Sequence, residues 1–172
     1  MSGREKGLSY QLKMAKKIAG FFGVDWKQCL QSTPESGARG AAEWKLDLCP
    51  LGDFAKTFPF QIECKKQEIC PFNKLFRPGM PMIVSWFDKA ERENTTSRQT
   101  LLVYTTNYMP DLVMFRVEMS PSTENVYTKA IYTKAISPAA VTFIHVLPQP
   151  HSMIAVMLLD EFLGMYIRAK TV

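Results

Sequence analysis

Residues 58–68, FPFQIECKKQE, constrain the fold more than any other stretch of the chain. Phe58, Phe60, Ile62 and Cys64 share one parity, and Gln61, Glu63, Lys65 and Gln67 share the other. A period of two marks a β-strand, in which successive side chains point to opposite faces. The first set is apolar, so its face has to be covered. The second set places a carboxylate and an ammonium about 7 Å apart on one face. On a solvated edge such a pair is an ion pair worth little.

The rest of the chain supplies elements to pack against this strand. In residues 6–22, Leu8, Leu12, Ala15, Ile18 or Ala19, and Phe22 recur at spacings of three and four, which predicts a helix with that face inward. Lys13, Lys16 and Lys17 fall mostly on the other face, Gln11 sits at the edge of the buried one, and Gly23 is a C-cap candidate. Residues 32–43, STPESGARGAAE, read as a loop. In WKLDLCP, Trp44, Leu46 and Leu48 alternate with Lys45, Asp47 and Cys49 until Pro50, which predicts a short strand with Asp47 opposite the leucines. A Pro- and Gly-punctuated connection, residues 70–81, leads to a helix over 82–92 with Met82, Ile83, Trp86, Phe87 and Ala90 inward. Residues 100–104, 112–119, 141–147 and 153–159 read as strands, and 160–170 as a closing helix. The YTKA repeat within 126–135 is too short to define an array. Helix, strands, helix, strands is the order of an α/β domain. A length of 172 residues suits one domain over the whole chain.

Formal net charge is +5, and its distribution is uneven. Residues 1–100 hold 16 Lys and Arg against 11 Asp and Glu, whereas residues 101–172 hold 5 of each. The excess lies in the same part of the chain as Glu63 and Lys65. It suits either a polyanionic partner or an ordinary basic surface. Lys13, Lys16 and Lys17 are correspondingly a solvated face or a phosphate-contacting strip. The first apolar residues sit in a lysine-rich segment, and the run Met153–Leu159 is too short to span a bilayer. These features predict a cytoplasmic protein without a membrane partner, with Cys29, Cys49, Cys64 and Cys70 as reduced thiols. Cys64, Cys70, His145 and His151 match no common zinc spacing.

If the strand of Asp47 pairs with that of Glu63, the two carboxylates approach each other and repel unless a cation lies between them. Mg²⁺ or Mn²⁺ suits such oxygen ligands, lowers the pKa of a bound water and stabilises charge on a phosphoryl oxygen. A lysine alongside can orient that water or offset the developing charge. Asp, Glu and Lys in this arrangement are the parts needed to hydrolyse a phosphodiester.

The stretches KGLSYQLKMAKKIAGFF, TPESGARG, KLDLCP, FPFQIECKK and SWFDKA, in that order over residues 6–105, resemble the PD-(D/E)-x-K nuclease superfamily, more narrowly the phage-type and archaeal Holliday junction resolvases. The resemblance implies a restriction-endonuclease-like single domain with a central mixed β-sheet flanked by helices. Residues 106–172 then add strands and the C-terminal helix, and 106–150 is a possible insertion. It further implies that Asp47 and Glu63 bind the metal together with the backbone carbonyl of Cys64. Lys65 would assist the attacking water, and Ser36 would touch the DNA backbone or help place the scissile phosphate.

The implied activity is endonucleolytic cutting of DNA, chiefly branched DNA, by a homodimer, leaving 5′-phosphate and 3′-hydroxyl ends. Symmetric cutting calls for two sites, and the strands after residue 100 could form the dimer surface. Lys66, Arg39, Lys74 and Arg77 are further candidate DNA contacts beside the site. Three positions depart from the family pattern. Leu46 precedes Asp47 where glycine is usual. Gln11 stands where the first helix usually carries an acid, and Lys89 where the second helix usually carries an amide. Gln11 can still coordinate through its amide oxygen, but it lacks the charge. The alternative readings are a catalytically weakened or inactive nucleic-acid-binding module on the same fold and a structural or partner-binding phage protein.

Overall fold

The computed structural model describes residues 3–32, 46–68, 82–107, 109–118, 143–146 and 152–170. Among these, seven strands form one sheet: β1 (Leu30–Ser32), β2 (Leu48–Pro50), β3 (Phe60–Gln67), β4 (Gln99–Thr106), β5 (Leu112–Glu118), β6 (Phe143–Val146) and β7 (Ser152–Leu158). Their spatial order is β1-β2-β3-β4-β5-β7-β6. Only β3 and β4 run parallel, with Glu63 beside Leu102 and Lys65 beside Tyr104. Every other pairing is antiparallel. This is the mixed sheet flanked by helices that the resemblance implies. A parallel pair needs a crossover, and the helix α4 (Met82–Glu93) lies between β3 and β4 in the chain.

The two faces of the sheet carry different cores. On one face Phe58, Phe60, Ile62 and Cys64 pack with α1 (Gly3–Phe21) and with α5 (Leu159–Lys170). Phe60 meets Phe58, Phe162 and Tyr166 edge-on at 4.9, 5.7 and 5.3 Å between ring centroids. On the other face Ile83, Val84 and Phe87 of α4 cover Leu102, Tyr104, Leu112, Met114, Ile154 and Val156. Strands β4, β5 and β7 are therefore covered on both sides, which explains their near-continuous apolar sequences.

Helix α1 ends as expected. Gly23 has φ +66°, Gly23 N–H donates to Gly20 O, and Val24 N–H donates to Ala19 O, a Schellman closure. Its buried face differs from the prediction. Tyr10, Met14, Ala15, Ile18 and Ala19 are buried, while Leu8 and Leu12 are 50% and 39% exposed. Both stripes use spacings of three and four and share Ala15, Ile18 and Ala19, so periodicity does not separate them. Polar anchoring does. Asp111, buried at the start of β5, accepts from Tyr10 Oη at 3.3 Å and from Lys13 and Lys17 Nζ at 3.2 and 3.0 Å. Lys17 also bridges to Asp160 at 2.7 Å. Both carboxylates hold the Lys17 ammonium above its ordinary pKa, against the opposing effect of burial. The Tyr10 phenol is raised by burial first and by Asp111 second.

Other expectations need correction. Residues 46–47 form a bend, and β2 comprises Leu48–Pro50 alone, with Pro50 inside the strand opposite Leu30. Strand β1 and the single-turn helices α2 (Trp26–Cys29) and α3 (Phe54–Thr57) are additional to the predicted elements. Met82 is 40% exposed, not inward. Strand β5 falls within the segment 106–150 expected as an insertion, yet it joins β4 to β7 in the middle of the sheet. Strands β4, β5 and β7 are enclosed, and among the described residues β6, also after residue 100, holds the sheet edge. The repeat at 126–135 lies outside the described residues. No helix among the described residues is long and apolar enough to cross a membrane.

Candidate active site

The register of β2 against β3 builds the site. Leu48 lies opposite Ile62, and both side chains enter the α1 core. Alternation then turns Asp47 and Cys49 to the other face, beside Glu63 and Gln61. The chain bends at 46–47 instead of continuing the ladder. The Asp47 carboxylate takes over the missing bond: Cys64 N–H donates to Asp47 Oδ2 at 2.8 Å. A strand residue turns its N–H and C=O to the same edge, so the Cys64 carbonyl also faces the Asp47 side.

Glu63 and Lys65 stand on the face shared with α4, and Lys65 Nζ donates directly to Glu63 Oε1. Glu63 is 8% exposed. Burial pushes its carboxyl pKa up, the Asp47 charge adds to that, and Lys65 acts in the opposite direction. Glu93, in the last turn of α4, adds a smaller upward push. Burial alone would lower the Lys65 ammonium, but Glu63 and Asp47 hold it above the ordinary lysine value. Two acids and one base thus interact in a partly dry pocket, where each charge counts for more than it would in water. Cys64 points the other way into the α1 core, and burial raises its thiol well above the usual range.

A polar ledge continues the site along the same face. Gln61 Nε2 donates to Cys49 Sγ at 3.3 Å, and Arg98 Nη1 reaches the same sulfur at 3.0 Å and Pro50 O at 3.1 Å. Gln61 Oε1 is buried without a partner among the described residues. Gln61 and Cys49 were legible by parity but bear no chemical signature. Glu93 and Arg98 come from the end of α4 and the turn after it, where nothing local marks them.

Of the other sequence candidates, Gln11 is 8% exposed, and its Oε1 accepts from Ser32 Oγ at 3.3 Å at the end of β1. Lys89 lies on the outer part of α4, 3.7 Å from Glu93. Lys13 and Lys17 neutralise Asp111, and Lys16 lies 6.0 Å from the Trp26 ring centroid. The lysines of α1 are therefore neither a purely solvated face nor a strip of unengaged charge. Lys66 is exposed. Ser36, Arg39, Lys74, Arg77 and Cys70 lie outside the described residues. No group of three or more His, Cys, Asp or Glu side chains among the described residues is gathered closely enough to hold a metal ion. The side-chain donors of the site are two carboxylates.

Neither curated proteins nor solved structures yield a match to the chain. One family model does match, described as "Phage putative PDDEXK endonuclease", and its match runs over residues 2–166, both flanking helices and the strands between them included. With nearly the whole chain matched, and Asp47, Glu63 and Lys65 on one face of a mixed sheet, the protein belongs to this phage PD-(D/E)-x-K endonuclease family.

Proposed function

We propose that the chain is a divalent-metal-dependent endonuclease that hydrolyses phosphodiester bonds in DNA, branched DNA being the preferred substrate class. One observation carries the reading. The Asp47 charge, after burial, raises the Glu63 carboxyl, and Lys65 is hydrogen-bonded to Glu63 on the same face. Such a carboxylate pair costs stability unless a cation joins it. The donor set fits a hard cation: two carboxylates, the Cys64 carbonyl on the same edge, and the orphaned Gln61 Oε1 two residues from Glu63. Magnesium keeps several waters, so a set with few protein ligands suffices.

When bound, Mg²⁺ or Mn²⁺ would lower the pKa of a coordinated water and take up charge on a phosphoryl oxygen. The chain's own groups do the rest. Asp47 and Glu63 would supply carboxylate oxygens, with Asp47 fixed by the Cys64 N–H. Lys65 positions the attacking water and offsets charge at phosphorus. Cleavage of the P–O3′ bond would leave a 5′-phosphate and a 3′-hydroxyl. The branched substrate and a two-site homodimer rest on the resemblance to junction resolvases.

The test is cutting of a synthetic four-way junction and of a matched duplex with Mg²⁺ or Mn²⁺. Wild type cuts, and Glu63→Gln and Lys65→Ala do not. A second reading, a binding module without catalysis, draws on Gln11, whose neutral amide bonds Ser32 where an acid is usual. It would be established by DNA binding in the absence of metal with no cutting under either ion.

A further inference from the structure

The turn between α4 and β4 is held unusually firmly. Asn94 Nδ2 donates to Arg98 O at 2.8 Å and to Thr100 Oγ1 at 2.9 Å, and Asn94 Oδ1 accepts from Thr96 N and Oγ1 at 3.0 and 2.7 Å. Arg98 N–H donates to Thr96 Oγ1 at 3.2 Å. The backbone of Arg98 is thereby fixed, and its guanidinium is clamped at Nη1 by Cys49 Sγ and Pro50 O.

Neither of those acceptors is a carboxylate. The other half-buried cations among the described residues each pair with a carboxylate: Lys17 with Asp111 and Asp160, Lys65 with Glu63, and Arg116 with Glu91. Arg98 has no carboxylate within salt-bridge distance among the described residues. It lines a cleft of about 220 Å³ together with Asn94, Thr96, Thr100, Arg116 and Glu91. Glu91 pairs with Arg116, and among the described residues the Arg98 guanidinium has no carboxylate partner and no recorded contact beyond Nη1. A guanidinium fork matches phosphate geometry.

The position matters as much as the charge. Cys49 is two residues from Asp47, and Gln61 is two from Glu63, a step of about 7 Å along each strand. Thr100, which lines the cleft, pairs with Gln61, so the cleft lies one such step from Glu63 across the β3–β4 ladder. We propose that this cleft is a backbone-phosphate subsite for nucleic acid, anchored by Arg98, that seats the strand beside the phosphodiester to be cut. The inference rests on the nuclease reading for its ligand but not on catalysis, since a phosphate contact operates without metal.

The experiment is fluorescence anisotropy of a labelled four-way junction and a matched duplex, in EDTA, across a salt series. Arg98→Gln weakens binding roughly tenfold at low salt, as expected for loss of one charge-assisted contact, and makes the slope of log K against log salt shallower by about 0.9. Arg98→Lys keeps the slope. Gln99→Glu, at an exposed cleft residue, brings in a negative charge without removing a recorded bond and weakens binding as well. An unchanged slope in Arg98→Gln, with unchanged affinity in Gln99→Glu, overturns the subsite and leaves the nuclease reading standing. Wild-type protein that does not bind at low salt overturns both. Displacement of DNA by millimolar inorganic phosphate at constant ionic strength overturns the strand assignment in favour of a small-anion site.

Discussion

The two faces of β3 share one backbone and do opposite jobs. Toward α1 and α5, Phe60, Ile62 and Cys64 sit in an aromatic-rich core. Toward α4, Gln61, Glu63 and Lys65 occupy a polar strip where burial works against charge. The apolar face gains from every group it removes from water. On the polar face, burial and the Asp47 charge both oppose ionisation of Glu63. Two-residue alternation lets one strand stabilise the fold and hold the strained site without either compromising the other.

Substitutions on the two faces separate these roles. The largest effect is expected at Glu63→Gln, which should lower metal-supported cleavage at least 10³-fold, the scale of removing one main electrostatic group from a site, while the far-UV circular dichroism stays native. Phe60→Ala should do the reverse. It should cost about 3–5 kcal/mol in urea denaturation, as for truncation of a buried phenylalanine. Activity per folded molecule should be retained, and loss of activity without loss of stability would break the division between faces.

Asp111→Asn probes a charge on the stability side. It leaves Lys13 and Lys17 facing a neutral amide and should destabilise by about 1–3 kcal/mol, read from the same denaturation curves, with cleavage unaffected.

A pH series sharpens the comparison further. The Glu63 carboxyl is raised in the fold, so the stability tied to its protonated form is full below the ordinary glutamate range and is lost as pH rises through the raised value. In metal-free buffer at pH 7, Glu63→Gln should therefore melt a few degrees above wild type. That advantage should shrink toward pH 4. A hundredfold excess of Mn²⁺ over its dissociation constant should stabilise wild type by about 2.7 kcal/mol and the variant little. A Glu63→Gln protein less stable than wild type at pH 7 without metal would contradict the picture of a strained acid pair. The smallest effect is expected at Lys89→Ala, which removes an exposed contact of 3.7 Å to Glu93 and should change stability by less than about 1 kcal/mol.

Much of this was legible from local pattern. The parity of residues 58–67 placed the two faces of β3 correctly, and the α4 and α5 helices fell close to their expected spans. The inward stripe of α1 was misread because Leu8 and Leu12 satisfy the same periodicity as Tyr10 and Met14, and only the distant Asp111 breaks the tie. The strand expected around Asp47 shortened to three residues because the Asp47 carboxylate itself occupies the Cys64 N–H that a longer ladder would have used. Arg98 and Glu93 had no motif to announce them.

The sequence alone determined which side chains leave β3 on which side, because a strand's alternation is a property of the backbone. It also placed Glu63 and Lys65 together on one face of that strand. Which side chains meet, what else borders them, and where the charge of Arg98 lies were decided by tertiary structure. Strand register and the seating of α4 bring together residues 49 positions apart (Cys49 and Arg98), and no local spacing encodes a distance across a sheet.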